Sequence, residues 1–254
     1  MRLPPEDAVK ILDLFCGAGG AAMGLRRAFP DAEITGVDLA PMPGYPFRFV
    51  QADAMTFPLE GYDLIWASPP CQGYSIMRNL PWLKHKDYPL LIEPTRARLV
   101  AAGVSYVIEN VMGAQRKARM HAGWLCGTMF GLPFYRHRLF ETNWPWMQPG
   151  HASHKVTIGS QSANRPRRTQ TAILPNIVSD WRNGLKRTGL ADWQNGRAVG
   201  VGHAKGWKIA AAAMGIDWMQ ASELTQAVPP AYSFFLGRQL QAALAFRTLR
   251  ERLP

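Results

Sequence analysis

Apolar positions in the first half of the chain come in short runs that stop at turn residues, the pattern of strands buried on both faces. Val9-Lys10-Ile11-Leu12-Asp13-Leu14-Phe15 is the first such run, and it feeds Cys16-Gly17-Ala18-Gly19-Gly20. Residues 21–29 then carry the spacing of a helix, and Ile34-Thr35-Gly36-Val37-Asp38 reads as a second strand ending on a carboxylate. Residues 47–50 predict a short third strand before Asp53, and 62–66 predict a fourth. A helix is expected over 90–102, with Pro94 marking a late start or a kink, and a fifth strand over 105–108, just before Glu109. Arg138-Leu139-Phe140-Glu141 reads as a later strand. Strands alternating with helices predict an α/β domain with a mostly parallel, Rossmann-like sheet.

The periodicity changes at Trp144. From there to Trp207, Pro, Gly, Asn, Gln, Ser and Arg dominate and no amphipathic period is visible. This stretch is expected to form a small irregular lobe, with Trp181, Trp193, Trp207 and Ile173-Leu174 as its apolar material. Helical character returns at 209–214 and again over 231–250, where Leu236, Leu240 and Leu244 recur at four-residue spacing. The expected organisation is a catalytic domain over 1–143, a lobe over 144–207, and C-terminal helices over 208–254 that return to the first domain.

Length and charge sharpen this. With 254 residues and 47% hydrophobic content, one large domain with an appendage is expected. No apolar run approaches the roughly 18 residues of a membrane span, and the first residues lack the apolar core of a signal peptide. A cytoplasmic protein is the expectation. The net charge of +11 points to a polyanionic partner. Residues 151–208 hold ten basic side chains against only Asp180 and Asp192, so most of the excess lies in the irregular lobe. Cys16, Cys71 and Cys126 are far apart, odd in number and outside any zinc-ligand spacing. Reduced thiols and no metal are expected.

One thiol stands out by position. In Ala67-Ser68-Pro69-Pro70-Cys71-Gln72-Gly73-Tyr74-Ser75, Cys71 follows the fourth strand at the sheet edge where α/β proteins bind ligands, and two prolines stiffen its approach. That placement suits a nucleophile. The glycine loop after the first strand marks a nucleotide site or merely a tight turn. With Asp38 and Asp53 ending the next two strands, an adenosine-bearing cofactor becomes the better reading, its ribose on Asp38 and its adenine amine on Asp53. Arg136 and Arg138 lie two apart and would share a face on a strand.

These motifs, in this order, resemble the DNA cytosine-5 methyltransferases. Asp13 to Gly20 looks like that family's S-adenosylmethionine loop, Pro69 to Ser75 like its catalytic motif, Glu109-Asn110-Val111 like its glutamate motif, and Gly131 to Phe140 like its paired-arginine motif. The resemblance covers 10–142 well and 209–240 loosely. It implies a Rossmann-like S-adenosylmethionine methyltransferase fold with a small target-recognition lobe, monomeric and acting on double-stranded DNA. It implies that Phe15, Gly17, Ala18, Gly19 and Gly20 line the cofactor, that Leu39 and Ala54 flank its adenine, and that Pro70 contacts it beside Cys71. Glu109 would serve N3 of a flipped cytosine, and Arg138 its O2, with Arg136 beside it or on a phosphate. Departures are Phe134 where glutamine is common, and Thr225-Gln226-Ala227-Val228 as the nearest match to a C-terminal Gly-Asn-Ser-Val run, which leaves Gln226 as the counterpart of its cofactor-contacting asparagine.

DNA contacts are expected from two places. The segment 76–87, basic and carrying Met, Leu and Trp, suits a closing loop that includes Arg78 and Lys84. Arg165, Arg167 and Arg168 of the lobe are candidates for phosphate or guanine contacts. The same thiol chemistry would also serve an RNA cytosine-5 methyltransferase, and a catalytically inert nucleic-acid binder on this fold is the alternative of another class.

Overall fold

The computed structural model describes residues 8–75, 78, 80–81, 85–151, 154, 199, 201 and 207–251, with side chains as far as 245. They divide into two compact units. The first comprises Met1–Trp124, Arg138–Gln148 and Val228–Pro254; the second comprises Leu125–His137 and Pro149–Ala227. The second unit therefore takes in Leu125–His137 from within the expected catalytic span. Among the described residues no helix is long and apolar enough to cross a membrane.

The first unit is built on a seven-stranded sheet: β1 Lys10–Leu14, β2 Glu33–Asp38, β3 Arg48–Gln51, β4 Leu64–Ala67, β5 Ser105–Asn110, β6 Gly123–Leu125 and β7 Arg138–Thr142, in the order β3-β2-β1-β4-β5-β7-β6. β1 to β5 are mutually parallel, and β7 runs antiparallel to β5. This is the expected Rossmann-like sheet. The strand order reverses between β1 and β4, which leaves a crevice at their carboxyl ends.

Register explains the two faces. Leu12 pairs with Ile65 and Leu14 with Ala67, which in turn pair with Tyr106 and Ile108. These residues share one face, and Ile92 and Leu99 of helix α2 (Ile92–Ala102) join their core. On the other face Trp66 meets Phe140, whose ring meets Tyr232 of the C-terminal helix. That helix, Pro230–Glu251, packs along α1 (Gly20–Ala28). A Cβ on Gly24 of α1 would lie 2.0 Å from the Pro230 carbonyl oxygen, so only glycine permits this approach. Of the predicted leucine stripe, Leu236 and Leu240 are buried, while Leu244 is 47% exposed.

Several elements lacked a sequence signal: the one-turn α3 Ala114–Lys117, β6, a 3₁₀ turn over Gly127–Phe130, and a helix over Ala221–Gln226. Each is too short to display a period. The Trp207–Met214 helix begins two residues before its predicted start. Trp181, Trp193 and Ile173-Leu174 lie outside the described residues.

Arg96 of α2 fastens the sheet to its covering layer. Its Nε and NH2 donate to the two carboxylate oxygens of Glu141 on β7 at 2.5 and 2.9 Å, and NH2 also reaches the Ala118 carbonyl. Glu141 is buried, so removing its partner leaves an uncompensated charge. Arg96→Ala is expected to lower stability by about 3 kcal/mol, read from the urea midpoint.

Candidate active site

β1 turns sharply at its carboxyl end. Phe15 has φ 54°, a left-handed conformation that is strained for a bulky residue, and its half-buried ring packs against the α2-side core. Gly17 at φ 48° and Gly19 at φ 82° continue the turn into α1. A Cβ on Gly17 would meet nothing within 4 Å, so space lies open beside the loop. Gly19 and Gly20 are shaped by packing instead: their added Cβ atoms would press on Pro46 and on the Val228 carbonyl. Ala18 is buried at 6% exposure.

β2 delivers Asp38 to the same edge. One carboxylate oxygen accepts from the Gly17 amide and the other from the Ala40 amide, both at 3.0 Å, so Asp38 is locked against the glycine loop. Leu39 beside it is 68% exposed. Asp53, also exposed, follows β3 in a turn closed by its own Oδ1 on the Met55 amide. Arg98 of α2 holds that turn through the carbonyls of Ala54 and Phe57, each at 2.7 Å. Ala54 lies 2% exposed in the core, so what it turns towards the crevice is backbone. Arg98 had no motif to announce it; it positions Asp53 from an element forty residues away.

An open glycine loop, two anchored carboxylates and an exposed apolar side chain between them fit an adenosine-bearing cofactor. Gln226 ends the Ala221–Gln226 helix in the second unit, with its side chain exposed.

Asp13 lies beneath this loop, completely buried. Tyr45 donates to its Oδ2 at 3.2 Å, while Oδ1 has no hydrogen-bond partner. Burial raises its pKa well above 3.8, against the Tyr45 hydrogen bond, and the charge of Asp38 adds to the rise. The folded state therefore binds this proton more tightly than the unfolded chain. Its stabilising contribution is complete below pH about 3.8 and is lost as pH climbs toward the raised folded value. Asp13→Asn is expected to stabilise the protein at pH 7 by about 1–3 kcal/mol and leave acid stability nearly unchanged, measured by urea unfolding at both pH values. The same surroundings push the Cys16 thiol far up, by burial first and then by Asp13 and Asp38, so it stays protonated.

Cys71 lies one short loop beyond β4, half-buried. Its carbonyl accepts from the amides of Tyr74 and Ser75, closing the turn after it. Pro70 is half-buried and Pro69 buried. Asn110 Nδ2 donates to the Pro69 carbonyl at 2.8 Å, tying the cysteine loop to the end of β5. Glu109, one residue earlier, belongs to β5 itself and is only 6% exposed.

β7 supplies the partner. Glu109 stands opposite Phe140, and Arg138, two residues before Phe140, shares that face. Its Nε lies 3.0 Å from Glu109 Oε1. Arg136 departs from the expected shared face because β7 starts only at Arg138. Arg136 is buried in the second unit and donates to the carbonyls of Val201 and Thr225.

Beside the cysteine loop, Arg78 NH1 and Lys117 Nζ both donate to the Gly73 carbonyl, at 3.2 and 2.5 Å. Lys117 ends the one-turn α3, which is too short to carry a sequence period. Lys84, Arg165, Arg167 and Arg168 lie outside the described residues.

No protein-family profile and no curated sequence matches the chain. Among solved structures it is similar to the Entamoeba histolytica methyltransferase EhMeth, at 15% identity over 96% of this chain and 99% of that one, with a TM-score of 0.49. It is similar to the 16S rRNA methyltransferase KamB at 15% identity over 56% of this chain and 91% of that one, TM-score 0.34. It is also similar to the plantazolicin methyltransferase BpumL, in complex with SAH, at 18% identity and TM-score 0.29. That match covers 43% of this chain and spans 42% of BpumL.

Proposed function

We propose that the protein transfers a methyl group from S-adenosylmethionine to C5 of a cytosine in double-stranded DNA through a covalent bond between Cys71 and C6. The observation that carries this reading is the convergence of Cys71, Glu109 and Arg138 at the carboxyl ends of β4, β5 and the start of β7. The Asn110 bond to Pro69 and the Arg138–Glu109 ion pair couple the three motifs. The glycine loop and Asp38 stand at the end of β1 and β2, on the same edge of the sheet.

Each side chain has a role that its chemistry permits. C5 of cytosine is a poor nucleophile. Addition of the Cys71 thiolate at C6 breaks the ring's aromaticity and gives C5 enamine character. Negative charge then develops toward N3, where the Glu109 carboxyl shares or donates a proton. Arg138 orients Glu109 and offers a cation for O2. S-adenosylmethionine, when bound, would supply the methyl group to C5, and Gly17 with the Asp38, Leu39 and Asp53 turns would hold it. Loss of the C5 proton to a base then expels the thiol and restores the double bond. The target must leave the base stack, at a cost of a few kcal/mol. Arg78, Lys117 and the basic residues of 151–208 provide positive charge for the phosphates.

The test is a duplex carrying 5-fluorocytosine, incubated with protein and S-adenosylmethionine. Fluorine at C5 blocks the final elimination, so a denaturation-resistant protein–DNA adduct is expected. No adduct on any DNA would sink the reading, and an adduct formed on RNA alone would move the substrate to RNA.

A further inference from the structure

Four metal-ligating side chains, none of them assigned a role above, meet in the second unit. Cys126, His137, His151 and His154 each present one ligand atom, and these atoms all lie within 4.8 Å of one another. Cys126 Sγ is 3.4 Å from His154 Nε2, and His151 Nε2 is 2.9 Å from His154 Nε2. Ligand atoms around a tetrahedral zinc ion, bound at about 2.0–2.3 Å, stand roughly 3.3–3.7 Å apart. The cluster needs adjustments of only about 1 Å to close on such an ion.

We propose that Cys126, His137, His151 and His154 form a structural zinc site. One thiolate with three imidazoles is a donor set of the softness zinc prefers, and four protein ligands leave no open position for a substrate. The surroundings are those of a built site. Cys126 is completely buried, and the Thr128 hydroxyl donates to its sulfur at 3.3 Å, the outer-shell contact that steadies a thiolate. The Tyr135 ring stacks on His154 with centroids 3.7 Å apart and planes 10° from parallel, which fixes that imidazole's orientation.

The ligands come from three separate stretches of chain, so the ion would cross-link them. The described residues of this unit include the 3₁₀ turn, an isolated bridge between Phe134 and Val199, and two short helices, Trp207–Met214 and Ala221–Gln226. An ion joining three such stretches stabilises the folded state by its binding free energy, because no preformed site exists in the unfolded chain. His137 also separates Arg136 from Arg138. Zinc there would fix the backbone next to Arg136.

Metal analysis of the full-length chain, purified without chelators or a histidine tag and reconstituted with zinc, tests this. One tightly held zinc per chain is expected, and stripping it should lower Tm. Cobalt added to the stripped protein should give tetrahedral d–d bands with a thiolate charge-transfer band, the latter lost in Cys126→Ser. His154 is exposed, so His154→Ala should fold and yet hold zinc more weakly by at least the about 10–100-fold that removal of an outer-shell partner costs. Zinc far below one per chain after reconstitution, a Tm indifferent to chelation, or zinc affinity unchanged in His154→Ala would each overturn the site.

Discussion

Cys71→Ser is expected to abolish both methyl transfer and adduct formation, with the rate falling by a factor on the order of 10⁴ or more, the scale of losing a covalent nucleophile. The hydroxyl is close to the thiol in size, so the turn closed by the Tyr74 and Ser75 amides on the residue 71 carbonyl remains. What disappears is the ionisable, polarisable sulfur, since a serine hydroxyl stays protonated at neutral pH without an adjacent base. Methyl incorporation into DNA and denaturing gels of the 5-fluorocytosine reaction measure the two losses separately. An adduct that survives in Cys71→Ser would put the nucleophile elsewhere. Neither other thiol is a ready substitute, because Cys16 and Cys126 are both buried and burial keeps Cys16 protonated.

Glu109→Gln is expected to lower kcat by about 10²- to 10⁴-fold, the usual contribution of a positioned proton donor. Glutamine retains the volume, can still accept a hydrogen bond from Arg138 and can donate one from its NH2 group, but it has no acidic proton to transfer to N3. KM for DNA should change little, because phosphate contacts dominate affinity. Arg138→Lys separates proton transfer from positioning. It preserves the charge yet loses the Nε contact at 3.0 Å, so its loss in kcat should be the smaller of the two. A Glu109→Gln enzyme within a few-fold of wild-type kcat would remove the carboxyl from the proton path.

The strands at the sheet centre were legible because a strand buried on both faces must be a short apolar run. Ile11 to Leu14 and Leu64 to Ala67 are such runs, with only Asp13 interrupting them, and their ends placed the glycine loop and Cys71 at one edge. Asp38 was legible for the same reason, as a carboxylate closing such a run. The short elements were not: α3 and β6 span four and three residues, fewer than any period needs to show itself. Arg98 and Lys117 act on the site from α2 and α3 through backbone carbonyls, which any residue type supplies, so no side-chain pattern marks their partners.

The paired arginines draw the line most clearly. Spacing alone put Arg136 and Arg138 on one face, because alternate residues of a strand share a face. Where β7 begins is settled by its pairing with β5, more than twenty-five residues earlier, and that start leaves only Arg138 on the strand. The same register sets Arg138 against Glu109, and the Asn110 bond to Pro69 draws the thiol loop to β5. The gathering of Cys126 with three histidines likewise depends on long-range folding rather than on spacing. Local order along the chain thus determined the order of the strands and the places of the glycine loop and the Cys71 turn at their ends. Which charges meet was decided by inter-strand register and chain return, since these depend on residues distant in sequence whose pairing no local period encodes.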